Sequence, residues 1–229
     1  LNVPVTCSGE TVLHSGSKVY INEESSFTQI EYQGTDSPKP YLKINAKVSS
    51  DIVTTGIMET VVTQNGNLEV GTLSSNASLS NSGTITATNA FTATEYINST
   101  SDIVKIKEVT TLSIENGTIS TLNVEKTDDE NDFATISTNG NLTISSATYN
   151  SADIQTSGNI TLANTIDSDT IGNLTIESGT LTIENLNVGN LTNKANFSSS
   201  TVNITGNLID TGTWQQTDST VINFVGTGD

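Results

Sequence analysis

The side chains most concentrated for chemistry form an acidic cluster at Asp128, Asp129, Glu130 and Asp132. Four carboxylates within five residues offer the hard oxygen ligands that Ca²⁺ prefers in proteins. The cluster lacks the residue order of an EF-hand loop and the glycine-rich nonapeptide of calcium-binding β-rolls. We therefore expect a solvated acidic turn that protrudes from the fold, with a weak Ca²⁺ site as the alternative and no other metal or cofactor.

Catalytic chemistry is restricted by the basic residues. All eight are lysines, the chain has no arginine, and His14 is the single histidine. No nucleophile-elbow sequence offers a serine to pair with His14, so no catalytic residues are predicted. The formal net charge is −17, and a strongly acidic chain is repelled by phosphate backbones, which excludes nucleic acid as a partner. The single cysteine, Cys7, has no partner for an internal disulfide.

The composition indicates β-structure. Thr, Ile and Val make up 77 of the 229 residues, and β-branched side chains favour strands over helices. No apolar run approaches the ~20 residues of a membrane-spanning helix, so we expect no membrane span in this chain.

A Gly-Asn-Leu or Gly-Asn-Ile triplet recurs along the chain, beginning at Gly66, Gly140, Gly158, Gly172, Gly189 and Gly206. From residue 140 onward the spacings are 18, 14, 17 and 17 residues. A period of this size is too short for helical repeats and too long for hexapeptide or nonapeptide solenoids. The sequence therefore predicts an all-β fold, a right-handed single-stranded parallel β-helix that forms a three-faced solenoid with ~17 residues per coil.

Residues 172–191 illustrate how one coil closes. Three short segments, 174–176, 181–183 and 186–188, each place an apolar side chain on either side of a polar one, as expected for strands that bury one face. Turn residues separate the segments, and the chain returns to Leu191 one coil above Leu174. A core stack of fully buried side chains is predicted to contain Leu174, Leu191 and Leu208.

The Gly-Asn pairs are predicted to form the corners. Glycine reaches positive φ without a Cβ penalty, as a sharp corner requires. The asparagines that follow are expected to lie above one another and to hydrogen-bond in a structural ladder at the ~4.8 Å strand spacing. The ladder would contain Asn141, Asn159, Asn173, Asn190 and Asn207. A row of ligand-binding amides is the alternative.

Threonines beside these corners raise the alternative of ice binding, which uses two outward threonine columns on one flat face. One column is predicted to contain Thr143, Thr161, Thr175 and Thr192, which follow successive Gly-Asn corners. A second column is not expected, because the threonines near 84, 180 and 211 fall in other phases. We prefer a threonine ladder that stabilises the sheet.

The first part of the chain follows the repeat less closely. We expect irregular N-terminal coils or a cap over residues 1–65, continuous as one domain with a regular parallel β-helix over 66–229. Four of the eight lysines lie in the first part, between residues 18 and 47.

Coils built on Gly-Asn-Leu-Thr-Ile, together with the closing segment 212–226, resemble the β-helical regions of large bacterial surface adhesins of the filamentous-haemagglutinin-like and autotransporter-passenger type. The resemblance covers roughly 66–226 and rests on structural motifs. It implies a right-handed β-helix, export to the cell surface or the outer membrane, and attachment to a receptor or glycan on a host or neighbouring cell. Further repeats of the same protein are an additional expected partner.

An enzyme is the main alternative, because pectin-degrading and other polysaccharide-active enzymes are similar β-helices. Such lyases generally use Arg or Lys as the base with Ca²⁺ held by carboxylates, and the hydrolases use clustered Asp with nearby His and Arg. The lack of arginine and the single histidine disfavour both, and the net charge disfavours acidic polysaccharides as ligands. We therefore expect a non-enzymatic structural and binding segment of a secreted or cell-surface adhesin.

Overall fold

The structure, a computed structural model, describes residues 1–33, 38, 40–56, 58–99, 101–129, 131–165, 169–199, 201–205, 207–215 and 221–224. Every regular element in these ranges is a β-strand. The strands are β1 (Thr6–Leu13), β2 (Lys18–Ile21), β3 (Ser25–Tyr32), β4 (Tyr41–Ile44), β5 (Lys47–Gly56), β6 (Glu59–Val62), β7 (Asn67–Asn81), β8 (Thr84–Asn98), β9 (Ile103–Lys107), β10 (Thr111–Glu125), β11 (Ala134–Thr148), β12 (Ile154–Thr161), β13 (Ile171–Thr182), β14 (Asn185–Asn193), β15 (Asn196–Ser198), β16 (Thr201–Ile204), β17 (Leu208–Asp210), β18 (Thr213–Gln215) and β19 (Val221–Phe224). Across the described ranges, no helix has the length and apolar character needed to cross a membrane.

The strands pair in parallel, each segment with its counterpart one coil further along the chain. In one coil, residues 67–70 lie on a first face, 72–75 on a second and 78–81 on a third. The single strand β7 carries all three segments, because its backbone bends at the corners while pairing continues. Stacking about 11 such turns produces the predicted all-β parallel solenoid.

Coil length varies around the predicted period. Leu174 pairs with Leu191, 17 residues later, whereas Leu112 pairs with Ile136, 24 residues later. The longer coil contains residues 126–133, which lie between β10 and β11. An insertion at a corner is tolerated because the strands on either side of it still find their partners in the next coil.

The Gly-Asn triplets occupy three different corners. Gly172 and Gly189 lie between the first and second faces, whereas Gly140 and Gly158 lie between the second and third. Gly66 precedes the first face. The 14-residue step from Gly158 to Gly172 therefore crosses two faces and is not a complete coil.

Most of these positions require glycine because two coils approach closely there, and not because the backbone has positive φ. A Cβ on Gly189 would clash with the backbone carbonyl oxygen of Gly172 in the preceding coil. Among the described triplet glycines, only Gly158 has positive φ, at 95°. The expected need for positive φ at every corner is therefore wrong, and the common requirement is a residue without a side chain where two coils meet.

Inward-facing side chains form apolar columns through the stack. On the second face one column contains Ile30, Val53, Leu73, Phe91, Leu112 and Ile136. All six are buried, because alternate residues of a strand point to the same face and that face closes on the interior. The solenoid interior is thereby filled with packed apolar side chains.

The leucine stack follows the predicted register. Leu174 pairs with Leu191, and Leu191 pairs with Leu208. Leu174 and Leu191 are 0% exposed, but Leu208 is only half-buried. The expectation of full burial for Leu208 is wrong because β17 pairs with β14 on one side and with no described strand on the other.

Strand pairing is already present in the N-terminal part of the chain, where the first strand begins at Thr6. The strand β1 pairs with β3 and β3 with β5, while β2, β4 and β6 stack on the third face. Both β5 and β6 then pair with β7. Among the described residues, strand pairing thus continues from β1 to the later coils.

Candidate functional site

The acidic cluster lies in residues 126–133, between β10 and β11. Asp128 and Asp129 are exposed and Asp132 is half-buried, while Glu130 lies outside the described residues. In the part of the chain that the structure describes, no three His, Cys, Asp or Glu side chains are grouped as a metal site would require.

Hydrogen bonds within the segment engage two of these carboxylates. Asp129 Oδ1 accepts from the backbone N–H of Asn131 at 3.0 Å and from its side-chain amide at 3.2 Å. These two hydrogen bonds lower the pKa of the Asp129 carboxyl. Asp132 Oδ2 lies 2.8 Å from the Thr127 hydroxyl. The described contacts are those of a turn that is held by its own side chains.

Sequence reasoning missed a buried carboxylate, Glu108, which is 1% exposed. Glu108 Oε1 accepts a hydrogen bond from the Asp153 backbone N–H at 2.8 Å, and Oε2 accepts one from the Thr127 backbone N–H at 2.5 Å. The Thr127 hydroxyl lies within hydrogen-bond distance of both Glu108 and Asp132. Glu108 thus connects Thr127, in the next coil, with Asp153, which lies two coils after Glu108.

Asp153 begins a column of polar side chains at the corner between the first and second faces. Its two carboxylate oxygens accept hydrogen bonds from the Asn173 backbone N–H at 2.7 Å and from the Asn173 side-chain amide at 2.6 Å. The Asn190 amide donates to Asn173 Oδ1 at 2.7 Å, and the Asn207 backbone N–H donates to Asn190 Oδ1 at 2.7 Å. This column of four residues satisfies polar groups in successive coils.

The other two predicted ladder asparagines lie at a different corner. Asn141 pairs with Asn159, and Asn159 pairs with Thr180 and not with Asn173. The prediction of a single ladder of five asparagines is therefore wrong, because Asn159 and Asn173 are not neighbours in the stack. The 14-residue step moves the Gly-Asn motif to another corner, so the asparagines form two separate columns.

Two buried tyrosines are also held by polar contacts inside the solenoid. Tyr96 Oη donates to Asp102 Oδ2 at 2.7 Å and accepts from the Asn81 amide at 2.9 Å. The Tyr149 backbone N–H donates to Asp169 Oδ2 at 3.0 Å. Burial, followed by the nearby aspartate charge, raises the pKa of both phenols above the ordinary range. Because these groups are enclosed, they stabilise coils and are not accessible to a ligand.

His14 and Cys7 occupy the N-terminal end of the solenoid. His14 is exposed in the turn after β1, and its backbone N–H donates to Ser17 Oγ at 3.2 Å. Cys7 is a free, half-buried thiol in β1. The Thr11 hydroxyl donates to its sulfur at 3.4 Å and lowers the pKa of the thiol.

A regular exposed surface lies on the third face, in the C-terminal half of the solenoid. Each of five coils places two outward side chains two positions apart along the strand. The pairs are Asn116 and Thr118, Asn141 and Thr143, Asn159 and Thr161, Thr180 and Thr182, and Asn196 and Ser198. We call these ten residues the amide–hydroxyl face. All ten are exposed or half-buried, and none is charged.

The geometry of the amide–hydroxyl face follows from strand pairing. Residues two apart on a strand are separated by roughly 6.6 Å, and neighbouring coils by about 4.8 Å. The intervening Leu142, Ile160 and Leu181 are buried in the core, so the backbone of this face is anchored by the packed interior. A shallow depression of about 290 Å³ lies between the Asn141, Asn159 and Thr180 coils. The result is a two-dimensional array of hydrogen-bonding groups.

The array changes the interpretation of the threonines. Thr143 and Thr161 share a column, but its next member is Thr182, whereas Thr175 and Thr192 pair on the second face. The predicted column of Thr143, Thr161, Thr175 and Thr192 is therefore wrong after Thr161. The reason is again the 14-residue step from Gly158 to Gly172, which moves the next Gly-Asn motif to another corner. The neighbouring outward column consists largely of asparagine, so the described part of this face has no second column of threonines, as expected.

No family model matches the chain, and no curated protein or solved structure matches it either.

Proposed function

We propose that this chain is a non-enzymatic binding segment of a secreted or cell-surface adhesin, and that it binds a neutral glycan through the amide–hydroxyl face. The observation that carries the proposal is the repetition of an uncharged outward pair in five successive coils. Asparagine amides both donate and accept hydrogen bonds, and so do threonine hydroxyls. Sugar hydroxyl groups require this combination.

The regularity of the surface favours a ligand that is itself a repeating polymer. A glycan chain lying along the stack would meet an uncharged pair of amide or hydroxyl groups at every coil. The packed interior limits bending of the face. Each pair contributes little because exposed hydrogen bonds exchange with water. Affinity for one segment is therefore expected to be weak and to rise steeply when many copies are displayed on a surface.

The test introduces charge into the face and measures binding to cells and to immobilised neutral glycans. Thr161→Glu combined with Thr182→Glu places two carboxylates in adjacent coils of the array. The control, Thr175→Glu with Thr192→Glu, adds the same charge in adjacent coils of the second face. We expect the first variant alone to lose binding, with the glycan recovered at unchanged length. Equal binding by both variants, or cleavage of the glycan, would overturn the proposal.

Ice binding is the second candidate, and the threonine column of the third face favours it. Thr118, Thr143, Thr161 and Thr182 stack in four successive coils beside a second polar column. The two candidates differ in their ligand, so the same variants separate them. Thermal hysteresis or inhibition of ice recrystallisation that Thr161→Glu abolishes, without any glycan binding, would replace the adhesin proposal by this one.

A further inference from the structure

The third face carries a chemically different surface in its first coils. In the pairing of β2 with β4, Lys18 lies opposite Tyr41, and Tyr20 lies opposite Lys43. Each strand therefore presents one lysine and one tyrosine outward, and the order is reversed in the neighbouring strand. We call these four residues the tyrosine–lysine patch.

The inward residues of the same strands fix the outward direction of the patch. Ile21, Leu42 and Ile44 are buried in the core, and successive strand residues alternate between the two faces. The patch is thus built on regular, paired strands and not on a connecting segment. Its spacing is set by the coil stacking, in the same way as that of the amide–hydroxyl face.

The two aromatic rings form one wall of a depression. Tyr20 is 43% exposed, and its ring centroid lies 5.8 Å from that of Tyr41, with the planes tilted by 53°. The depression has a volume of about 310 Å³ and is lined by Lys18, Tyr20, Pro40, Tyr41 and Glu59. Burial, with smaller effects from Glu59 and Tyr20, raises the pKa of the Tyr41 phenol.

The lysines of the patch lack the carboxylate partners that other lysines have. Lys47 lies 3.0 Å from a Glu69 carboxylate oxygen, and Lys194 lies 2.8 Å from one of Glu177. Among the described residues, no carboxylate lies within 4.0 Å of the Lys18 or the Lys43 ammonium group. Lys18 and Lys43 lie diagonally across neighbouring strands, and Glu59 lies beyond Tyr41 on the next one. Two lysines without a described salt-bridge partner on one surface, in a protein with a net charge of −17, favour an anion locally.

We propose that the tyrosine–lysine patch binds an anionic saccharide, that is, a sugar residue bearing a carboxylate or sulfate group. The apolar C–H face of the sugar would pack on the tyrosine rings, as amphipathic aromatic side chains favour. Its anionic group would contact Lys18, which lines the depression, with Lys43 diagonally across on the neighbouring strand. Its hydroxyls would reach Glu59 and the phenol of Tyr41. The proposal rests on the adhesin function and adds a second ligand class, which the net charge of the whole chain had argued against.

The combination of side chains distinguishes this ligand from other anions. A bare inorganic anion would use the lysines but not the aromatic rings. A neutral sugar would use the rings but leave the two cations unpaired. A phosphorylated peptide would satisfy the lysines, but Glu59 at the edge of the depression would repel its doubly charged phosphate more strongly than a single carboxylate.

Titration calorimetry with defined oligomers tests the proposal. Oligogalacturonate carries carboxylates, sulfated dextran oligomers carry sulfates, and unmodified dextran carries no charge. We expect the protein to bind at least one of the charged oligomers and not dextran, and to bind sodium sulfate more weakly than either charged oligomer. Lys18→Gln with Lys43→Gln should weaken binding by about tenfold or more, because contacts to charged groups are the stronger ones.

Two further variants test whether the loss of binding is caused by the tyrosine–lysine patch itself. Lys105→Gln with Lys107→Gln removes the same charge from β9 and should leave binding unchanged. Tyr20→Ala preserves the charge and should weaken binding several-fold. Equal losses from both lysine pairs, no effect of Tyr20→Ala, no binding of either charged oligomer at millimolar concentration, or tighter binding of a phosphopeptide would each overturn the assignment. The Thr161→Glu and Thr182→Glu variant lies outside the patch, so failure of either proposal is visible independently.

Discussion

Replacing Glu108 by glutamine changes one atom of a buried side chain that connects three coils. In the protein, both carboxylate oxygens accept a hydrogen bond from a backbone N–H, of Asp153 and of Thr127 respectively. A glutamine side chain has one carbonyl oxygen and one NH₂ group. It can therefore accept from one of the two backbone groups only, while its NH₂ group faces the other N–H donor.

The cost follows from this mismatch. Leaving one buried N–H without an acceptor costs about 1–3 kcal/mol. The remaining hydrogen bond changes from charge-assisted to neutral and becomes roughly half as strong. Removing a buried charge offsets part of the loss, because a desolvated carboxylate is itself unfavourable. We expect a net destabilisation of about 2 kcal/mol, which corresponds to a fall in Tm of roughly 4–8 °C for a chain of this size.

Hydrogen exchange provides the local measurement and thermal unfolding the global one. In Glu108→Gln, the amides of Thr127 and Asp153 should exchange faster, whereas amides of distant coils should keep their protection, since each coil contacts mainly its neighbours. Glu125→Gln is the matched control, because it makes the same charge change at an exposed position at the end of β10. An unchanged or higher Tm for Glu108→Gln, with both amides still protected, would refute the reasoning.

Three further outcomes are expected. Leu191→Asp should lower the free energy of unfolding by several kcal/mol, measured by denaturant titration, because it places an unpaired charge in a fully buried column. Gly189→Ala should cost about 1–3 kcal/mol, because its Cβ would meet a backbone carbonyl of the preceding coil, whereas Gly9→Ala, with open space around it, should be nearly neutral. Tyr96 and Tyr149 should remain unionised in an absorbance titration until the protein unfolds. Their pKa is raised in the folded state, so their contribution to stability is complete below about pH 10 and is lost above it, seen as a fall in Tm.

Local residue pattern was sufficient to predict the solenoid. In residues 172–191, apolar side chains alternate with polar ones over three short segments, and that alternation is a property of a single strand. Because the segments are separated by turn residues and the pattern returns after 17 residues, the pairing of Leu174 with Leu191 could be expected before any contact was known. Both are buried for the reason that the pattern indicates, which is that one strand face closes on the interior.

The same pattern could not assign a motif to a corner. All three corners bring two coils into close contact, so the triplets at Gly158 and Gly172 look alike in the sequence although they lie at different corners. The division of the asparagines into two columns, and the position of Thr182 above Thr161, were decided by the register of the stacked strands. The amide–hydroxyl face was therefore not predictable from spacing alone.

What the sequence by itself determined is the strand type, the approximate coil length and the apolar core, because each depends on alternation and turn residues within one coil. Only the tertiary structure decided which side chains become neighbours between coils. Glu108 reaches Asp153, 45 residues away, since the insertion at 126–133 leaves a corner that a long side chain can cross. Lys18 and Tyr41 share one surface for a similar reason, because pairing of β2 with β4 places them together. Contacts of this kind depend on the summed length of the intervening segments, and local residue preferences do not fix that length.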